Sequence, residues 1–293
     1  MRILKLAELR LIASKCGISS QGVKAALSSR IHKALHDLPP PPSQPRRILS
    51  IDVGIRNLAC CTLDLNPHST VPSISSWNLS SLQSASEPAA VLEARDAFDP
   101  YSMSQMTYAL VRQRLLLDRP THILIEQQRF RTRGFKCIAE WTIRINILEA
   151  MLHATLCTLR AEGQWTGDYE SVIPAMIGPF WSHSLKDILV KSKDARKQQK
   201  LKKIELVRGW LERGTPFFTL GSEEVKVISK RYQDKCNQPR RQAVKNNQAE
   251  EASVRLRKLD DMADALLQGL AWIHWDQNKR IAAEKGLEIL LAP

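Results

Sequence analysis

The chain lacks the cysteine spacing of a zinc site or a disulfide framework. Its six cysteines stand at 16, 60, 61, 137, 157 and 236, with no Cys-x-x-Cys pair and no clustered histidines beside them. That pattern suits a reducing compartment. Long apolar runs are lacking too: nothing approaches the roughly 18 residues of a membrane span, so integral membrane association is not expected. A secretory signal is also missing, since Met1 to Leu9 are amphipathic rather than continuously apolar. Such a basic amphipathic start can also belong to an organelle-targeting peptide, although Glu8 and the ordered pattern behind it favour folded structure. Acidic residues are in short supply, 30 against 43 Lys and Arg, for a formal charge of +13. The excess favours a polyanionic partner, nucleic acid ahead of an anionic membrane surface.

The 293 residues, 43% of them hydrophobic, provide for one sizeable core or a main domain with a small appendage. Leu38-Pro39-Pro40-Pro41-Pro42-Ser43-Gln44-Pro45 is the clearest boundary, because successive prolines stop a helix and favour an extended spacer. It implies a head over 1–38, a linker over 39–46 and a body over 47–293. In the head, Leu6, Leu9, Ile12 and Ala13 recur at helical spacing, Gly17 breaks the pattern, and a second helix is expected from Gly22 to about Leu35. Lys15, Lys24, Arg30 and Lys33 can form a basic face on this hairpin.

The body opens with strand-like segments over Arg47 to Val53 and Asn57 to Leu63, joined by Gly54-Ile55-Arg56 as a tight turn, and Val71 to Leu79 supplies a third strand. Residues 80 to 100 read as a loop. A helix follows from Ser102 to Leu117, then a buried strand over Thr121 to Glu126, a long helix from about Phe135 to Leu159, and a further short strand within Val172 to Ile177. This order predicts an α/β fold with a mixed sheet covered by helices.

Carboxylates sit at singular places in this frame. Asp52 ends the apolar run Ile48-Leu49-Ser50-Ile51, and Glu126 closes the strand 122 to 125, so both project from one sheet edge if their strands are neighbours. Either one alone is equally compatible with a solvent-facing strand end. In Lys258-Leu259-Asp260-Asp261-Met262-Ala263-Asp264, the spacings Asp261/Asp264 and Asp260/Asp264 each place two carboxylates on one helix face, while Leu266, Leu267 and Leu270 enter the core. Such crowding repels unless cations or protons intervene. Taken alone, the segment also suits an Asp-rich helix start favoured by the dipole.

Leu6-Ala7-Glu8-Leu9 through Cys16-Gly17-Ile18, with Gly22-Val23-Lys24-Ala25-Ala26-Leu27 and Arg30-Ile31, resembles the SAP DNA-binding module, which implies contact with duplex backbone. A helical cap or dimerisation hairpin is the plainer alternative. Ser50-Ile51-Asp52-Val53-Gly54-Ile55-Arg56-Asn57-Leu58-Ala59, Ile125-Glu126-Gln127-Gln128-Arg129-Phe130-Arg131-Thr132 and Asp260-Asp261-Met262-Ala263-Asp264-Ala265-Leu266 together resemble the fungal mitochondrial Holliday-junction resolvases. The resemblance spans most of residues 47 to 276. It implies an RNase H-like mixed five-stranded sheet flanked by helices, RuvC-type chemistry, a homodimer acting on four-way junction DNA, and a mitochondrial location. Carried over by motif, Asp52, Glu126 and Asp264 become catalytic metal ligands. Asp261 is the favoured fourth and Asp260 its alternative. Two Mg²⁺ ions, with Mn²⁺ as a substitute, would be held about 4 Å apart. The implied reaction is paired hydrolysis leaving 5′-phosphate and 3′-hydroxyl ends.

Basic residues should position the phosphates. The runs 186 to 208 and 226 to 258 hold most of them, with Lys197, Lys200, Arg231, Arg240, Arg241 and Lys258 among the DNA-binding candidates alongside Lys24 and Arg30 of the head. Arg129, Arg131 and Arg133 follow Glu126 closely, and Phe130 among them is the preferred aromatic for an unstacked base. Phe135, Trp141, Phe180, Trp181 and Tyr232 are further aromatic candidates, although most aromatics at such positions serve the core. Two other functions compete. Asp-x-Gly-x-x-Asn is weakly reminiscent of sugar-kinase and actin-like phosphate loops, but no second such loop follows position 150. A non-catalytic junction-binding or architectural DNA protein is the other alternative.

Overall fold

The parity of the first long strand decides which way its carboxylate faces. β1 (Arg46–Val53) is buried along nearly its whole length, as a central strand covered on both faces must be. Ile48 packs into one core cluster, whereas Leu49, Ile51 and Val53 pack into another. Side chains alternate across a strand, so Ser50 and Asp52 share the face of Ile48. The same division holds in β4 (His122–Glu126): Leu124 lies with the first cluster, and Ile123 and Ile125 with the second. Glu126 therefore shares the face of Leu124.

The computed structural model describes residues 4–54, 57–82, 99–128, 139–186, 188–189, 195–237 and 259–292. β1 pairs antiparallel with β2 (Asn57–Leu65), which pairs antiparallel with β3 (Ser73–Ser81). On its other side β1 pairs parallel with β4, and β4 parallel with β5 (Asp168–Val172). Five strands were expected. The sheet has these five and adds a two-residue sixth, β6 (Thr219–Leu220), in the order β5-β4-β1-β2-β3-β6. The expected strand within Val172 to Ile177 is displaced, because β5 ends at Val172 and Pro174 opens a helix. Proline suits that first helical position, where its missing N–H costs nothing.

One face of the sheet carries α3 (Pro100–Leu110), which runs into a π turn over Val111–Leu115, and α4 (Glu140–Ala161). The other face carries α9 (Leu259–Lys285), flanked by α7 (Ala195–Arg213) and α8 (Glu223–Asn237), with the short α5 (Pro174–Phe180) and α6 (Ser182–Lys186) beside them. α9 lies very close to β1 and β2 at Gly269. A Cβ there would stand 2.7 Å from Leu63 Cδ1 and 3.1 Å from Ser50 Cβ, so glycine is what allows the approach.

α1 (Leu6–Lys15) and α2 (Lys24–His36) form the expected hairpin. Leu9, Ile12, Ala13, Leu27 and Ile31 share their core with Ala282 of α9 and Leu290 of the final 3₁₀ turn. Lys15 Nζ donates to Leu290 O at 2.7 Å, and Asn278 Nδ2 donates to Lys15 O at 2.6 Å. The head is thus packed onto the far end of the helix whose beginning carries the aspartates.

Candidate active site

β1 and β4 run parallel in a register that pairs Ser50 with Leu124 and Ile51 with Ile125. Asp52 and Glu126 are the next residues on each strand and lie on the same face, at the carboxyl ends of neighbouring parallel strands. The adjacency that the sequence left conditional is present. α9 brings its first turns to this edge, with Asp260 and Asp261 in the first turn and Asp264 one turn on. Carboxylates at a helix N-terminus are favoured by the peptide dipoles there.

Other side chains fix where these elements end. Trp77 Nε1 donates to Met262 O at 3.0 Å, and Tyr232 OH donates to Leu259 O at 3.4 Å, tying the start of α9 to β3 and α8. Gln128 Nε2 donates to Val53 O at 3.2 Å and lies 3.4 Å from Glu126 O, joining the end of β4 to the end of β1. The Gln128 N–H in turn donates to Glu149 Oε2 of α4 at 2.9 Å. Burial pushes the Glu149 carboxyl above its ordinary range, and this N–H partly offsets the push.

The electrostatics converge on Asp52, where four other carboxylates act on one. Burial raises the Asp52 carboxyl well above the usual range, and Glu126, Asp261, Asp264 and Asp260, in falling order of effect, raise it further. Burial also raises Asp264, an effect opposed by Lys203. Lys203 Nζ pairs with Asp264 Oδ1 at 2.6 Å, and Lys200 Nζ with Asp260 Oδ2 at 2.5 Å. Among the described residues, no group of three or more His, Cys, Asp or Glu is drawn together tightly enough to form a ready-made metal cage. Two ammonium groups of α7 thus pair with two of the three aspartates of α9.

The DNA-binding candidates are distributed over several elements. Lys197 and Lys200 lie on α7 and Arg231 on α8. Lys24 opens α2, exposed to solvent. Arg30 Nη1 donates to Ser19 O at 2.5 Å and Gln21 O at 3.0 Å, so its guanidinium braces the turn between α1 and α2. Arg129, Phe130, Arg131, Arg133, Arg240, Arg241 and Lys258 lie outside the described residues, as does Phe135.

Two aromatic candidates belong to the core. Tyr232 is fully buried against Trp77, and Trp181 is buried among Phe180, Trp210 and Phe217. Trp141, at the start of α4, is 58% exposed and stays available. Sequence reasoning did not single out Lys203, Gln128 or Glu149. Lys203 was one lysine in a long basic run, and nothing local marked it as the one facing Asp264.

A protein-family profile described as "Mitochondrial resolvase Ydc2 / RNA splicing MRS1" matches residues 48–281. The chain belongs to this family. It is 34% identical over 154 residues to "Cruciform cutting endonuclease 1, mitochondrial" of Schizosaccharomyces pombe (strain 972 / ATCC 24843), a match covering 53% of this chain and 56% of that protein. The chain thus spans little more than half the length of this curated relative. Its fold is similar to that of the yeast mitochondrial Holliday junction resolvase Ydc2, with a TM-score of 0.62, 24% sequence identity and coverage of 97% of this chain and 99% of that one. Family and relative are both described as mitochondrial, and this chain is a mitochondrial member.

Proposed function

We propose that the chain is a structure-specific endonuclease that resolves four-way DNA junctions by paired, metal-dependent phosphodiester hydrolysis. One observation carries the reading: Asp52 and Glu126 stand side by side at the ends of parallel strands, and the aspartates of α9 act on the same point. Asp52, buried and facing four further carboxylates that raise its proton affinity, sits in a poor resting arrangement and a good oxygen-donor set for hard divalent cations. The donor chemistry fits Mg²⁺, with Mn²⁺ as a substitute.

Asp52, Glu126, Asp261 and Asp264 are the residues that would hold two ions. Asp261 is preferred to Asp260 for its three-residue spacing from Asp264 and because it acts on Asp52 ahead of Asp260. Bound there, the ions supply charge compensation at the phosphoryl group and an activated water. The residues of the chain do the rest. Asp52, buried and acted on by the four other carboxylates, would be the ligand common to both ions. α7 and α8 present Lys197, Lys200 and Arg231 for phosphate contacts that orient the strand without reading its sequence. Cleavage leaves 5′-phosphate and 3′-hydroxyl ends, and a homodimer presents two such centres to symmetry-related strands. The SAP-like head adds backbone contacts through the exposed face of α2 around Lys24.

The test compares wild type and Asp52→Asn on four-way junctions, linear duplexes and flaps with Mg²⁺. Symmetric incision of the junction by wild type, and a variant that binds without cutting, is the expected pair of results. Junction binding without incision by wild type would favour a non-catalytic binder. Full activity in Asp52→Asn would remove the carboxylates from the reaction.

A further inference from the structure

Gln268 lies one turn beyond Asp264 on the same face of α9 and is 1% exposed. Its side-chain Nε2 stands 3.1 Å from Ser50 Oγ, 3.3 Å from Ile51 O and 3.4 Å from Leu124 O. Ser50 and Ile51 immediately precede Asp52, and Leu124 is two residues before Glu126. A single amide therefore touches all three elements that carry the carboxylates, directly beneath them. Around it α9 is apolar, with Leu266, Leu267, Leu270 and Ala271 all buried.

Packing alone gives little reason for an amide in this layer. Its Oε1 is buried without a hydrogen-bond partner among the described residues, and burying an unpaired polar atom is unfavourable. A methionine would fill a similar volume without the orphaned oxygen. What the amide adds is direction, because its donors are satisfied only when α9 stands at one height and one rotation over β1 and β4. Sliding the helix by one residue moves it about 1.5 Å and turns it about 100°, which would carry Asp261 and Asp264 away from Asp52. Gly269, which allows the close approach, is the adjacent residue.

We infer that Gln268 is a positioning residue for the metal site: it sets the spacing of Asp264 and Asp261 from Asp52 and Glu126. The inference rests on the reading of these carboxylates as metal ligands. Groups that orient ligands from behind typically change metal affinity by roughly 10–100-fold when removed.

The experiment measures Mn²⁺ binding to the full-length chain by the loss of the free-ion EPR signal, in wild type, Asp52→Asn and Gln268→Met. Thermal melting without metal and junction binding in EDTA are recorded for each. Wild type should bind Mn²⁺, and Asp52→Asn should lose that binding. Gln268→Met should bind roughly 10–100-fold more weakly, with junction binding in EDTA unchanged; its melting temperature is only a check on folding, since the variant loses the orphaned Oε1 but also strips the buried Ser50 hydroxyl of its partner. A side chain with a merely structural role would instead leave the folded protein's Mn²⁺ affinity intact, which overturns the inference. Absent Mn²⁺ binding in wild type, or binding undiminished in Asp52→Asn, overturns the metal-site reading and the inference with it. Undiminished binding in Gln268→Met alone overturns only the inference. If Gln268→Met does not fold, Ser50→Ala removes the shortest of the three contacts with a small truncation. Weaker Mn²⁺ binding by that folded variant supports the inference, and unchanged binding overturns it.

Discussion

Replacing Lys203 with methionine should weaken the protein without metal and tighten its hold on metal. The ammonium pairs with Asp264 at 2.6 Å, and the two side chains are only 26% and 21% exposed. Exposed ion pairs contribute about 0.2–1 kcal/mol, and stranding one member of a buried pair costs about 3–5 kcal/mol. A pair at this depth falls between them, at about 2 kcal/mol. Domains of about 150–250 residues shift by about 2–4 °C per kcal/mol, so metal-free Lys203→Met should melt about 4–8 °C below wild type. If Asp264 must release Lys203 to accept a divalent ion, the same free energy opposes metal binding in wild type. Removing it should tighten Mn²⁺ binding about 30-fold, since about 1.4 kcal/mol is tenfold. At saturating Mn²⁺ the two melting temperatures should converge. Lys200→Met is the internal control: its ammonium is 59% exposed, so the corresponding shift should stay within the range of about 0.2–1 kcal/mol set for surface pairs. Titration calorimetry and melting curves give both quantities without any cleavage assay. Unchanged or weaker Mn²⁺ binding in Lys203→Met would refute the competition between lysine and metal for Asp264.

Two other outcomes follow from the same packing. Burial first, and then the neighbouring carboxylates, raise the Asp52 carboxyl above its ordinary value of 3.8. The folded chain therefore binds that proton more tightly than the unfolded chain does. The resulting stability is fully present below 3.8 and is lost as pH rises through the raised folded value. Asp264, raised chiefly by burial, adds to the same trend. Urea melts of metal-free wild type should show stability falling across this window and a shallower fall in Asp52→Asn, whereas parallel curves would contradict the assignment. Gly269→Ala should destabilise despite alanine's helix propensity. Its Cβ would meet Leu63 Cδ1 at 2.7 Å and Ser50 Cβ at 3.1 Å, and overpacking of this kind costs about 1–3 kcal/mol against a gain of at most about 1 kcal/mol. Calorimetric melting decides it, and a raised melting temperature would show that α9 can lift from the sheet without cost.

What the sequence disclosed and what it hid divide along the range of the interactions involved. Asp52 and Glu126 could be singled out because a carboxylate closing an apolar run is a local pattern. Strand parity then fixes the face each one takes, with no knowledge of the fold. β5 was misplaced for the opposite reason. Its residues, Asp168 to Val172, are mostly polar because it is an edge strand beyond β4, and edge strands need fewer apolar side chains. The more apolar stretch after it, beginning Val172-Ile173, drew the expected strand too far along the chain. Trp181 and Tyr232 carried no local sign of burial. Their partners Trp210, Phe217 and Trp77 come from distant segments.

The site itself shows the same division within a single helix. Asp261 and Asp264 stand out in α9 by charge and spacing, whereas Gln268 and Gly269 look like ordinary helix residues until the helix is laid on the sheet. Only then does the amide meet Ser50, Ile51 and Leu124, and only then does the missing Cβ matter. The basic run of α7 poses the same difficulty with the sign reversed. Net charge made it one field for a polyanion, but Lys203 and Lys200 are spent on carboxylates of the same chain. On the proposed reading, DNA phosphates would compete with the carboxylates for these lysines, and a divalent ion would compete with the lysines for the carboxylates. The charge excess that would draw a polyanion and the charge balance among the carboxylates are therefore supplied in part by the same residues.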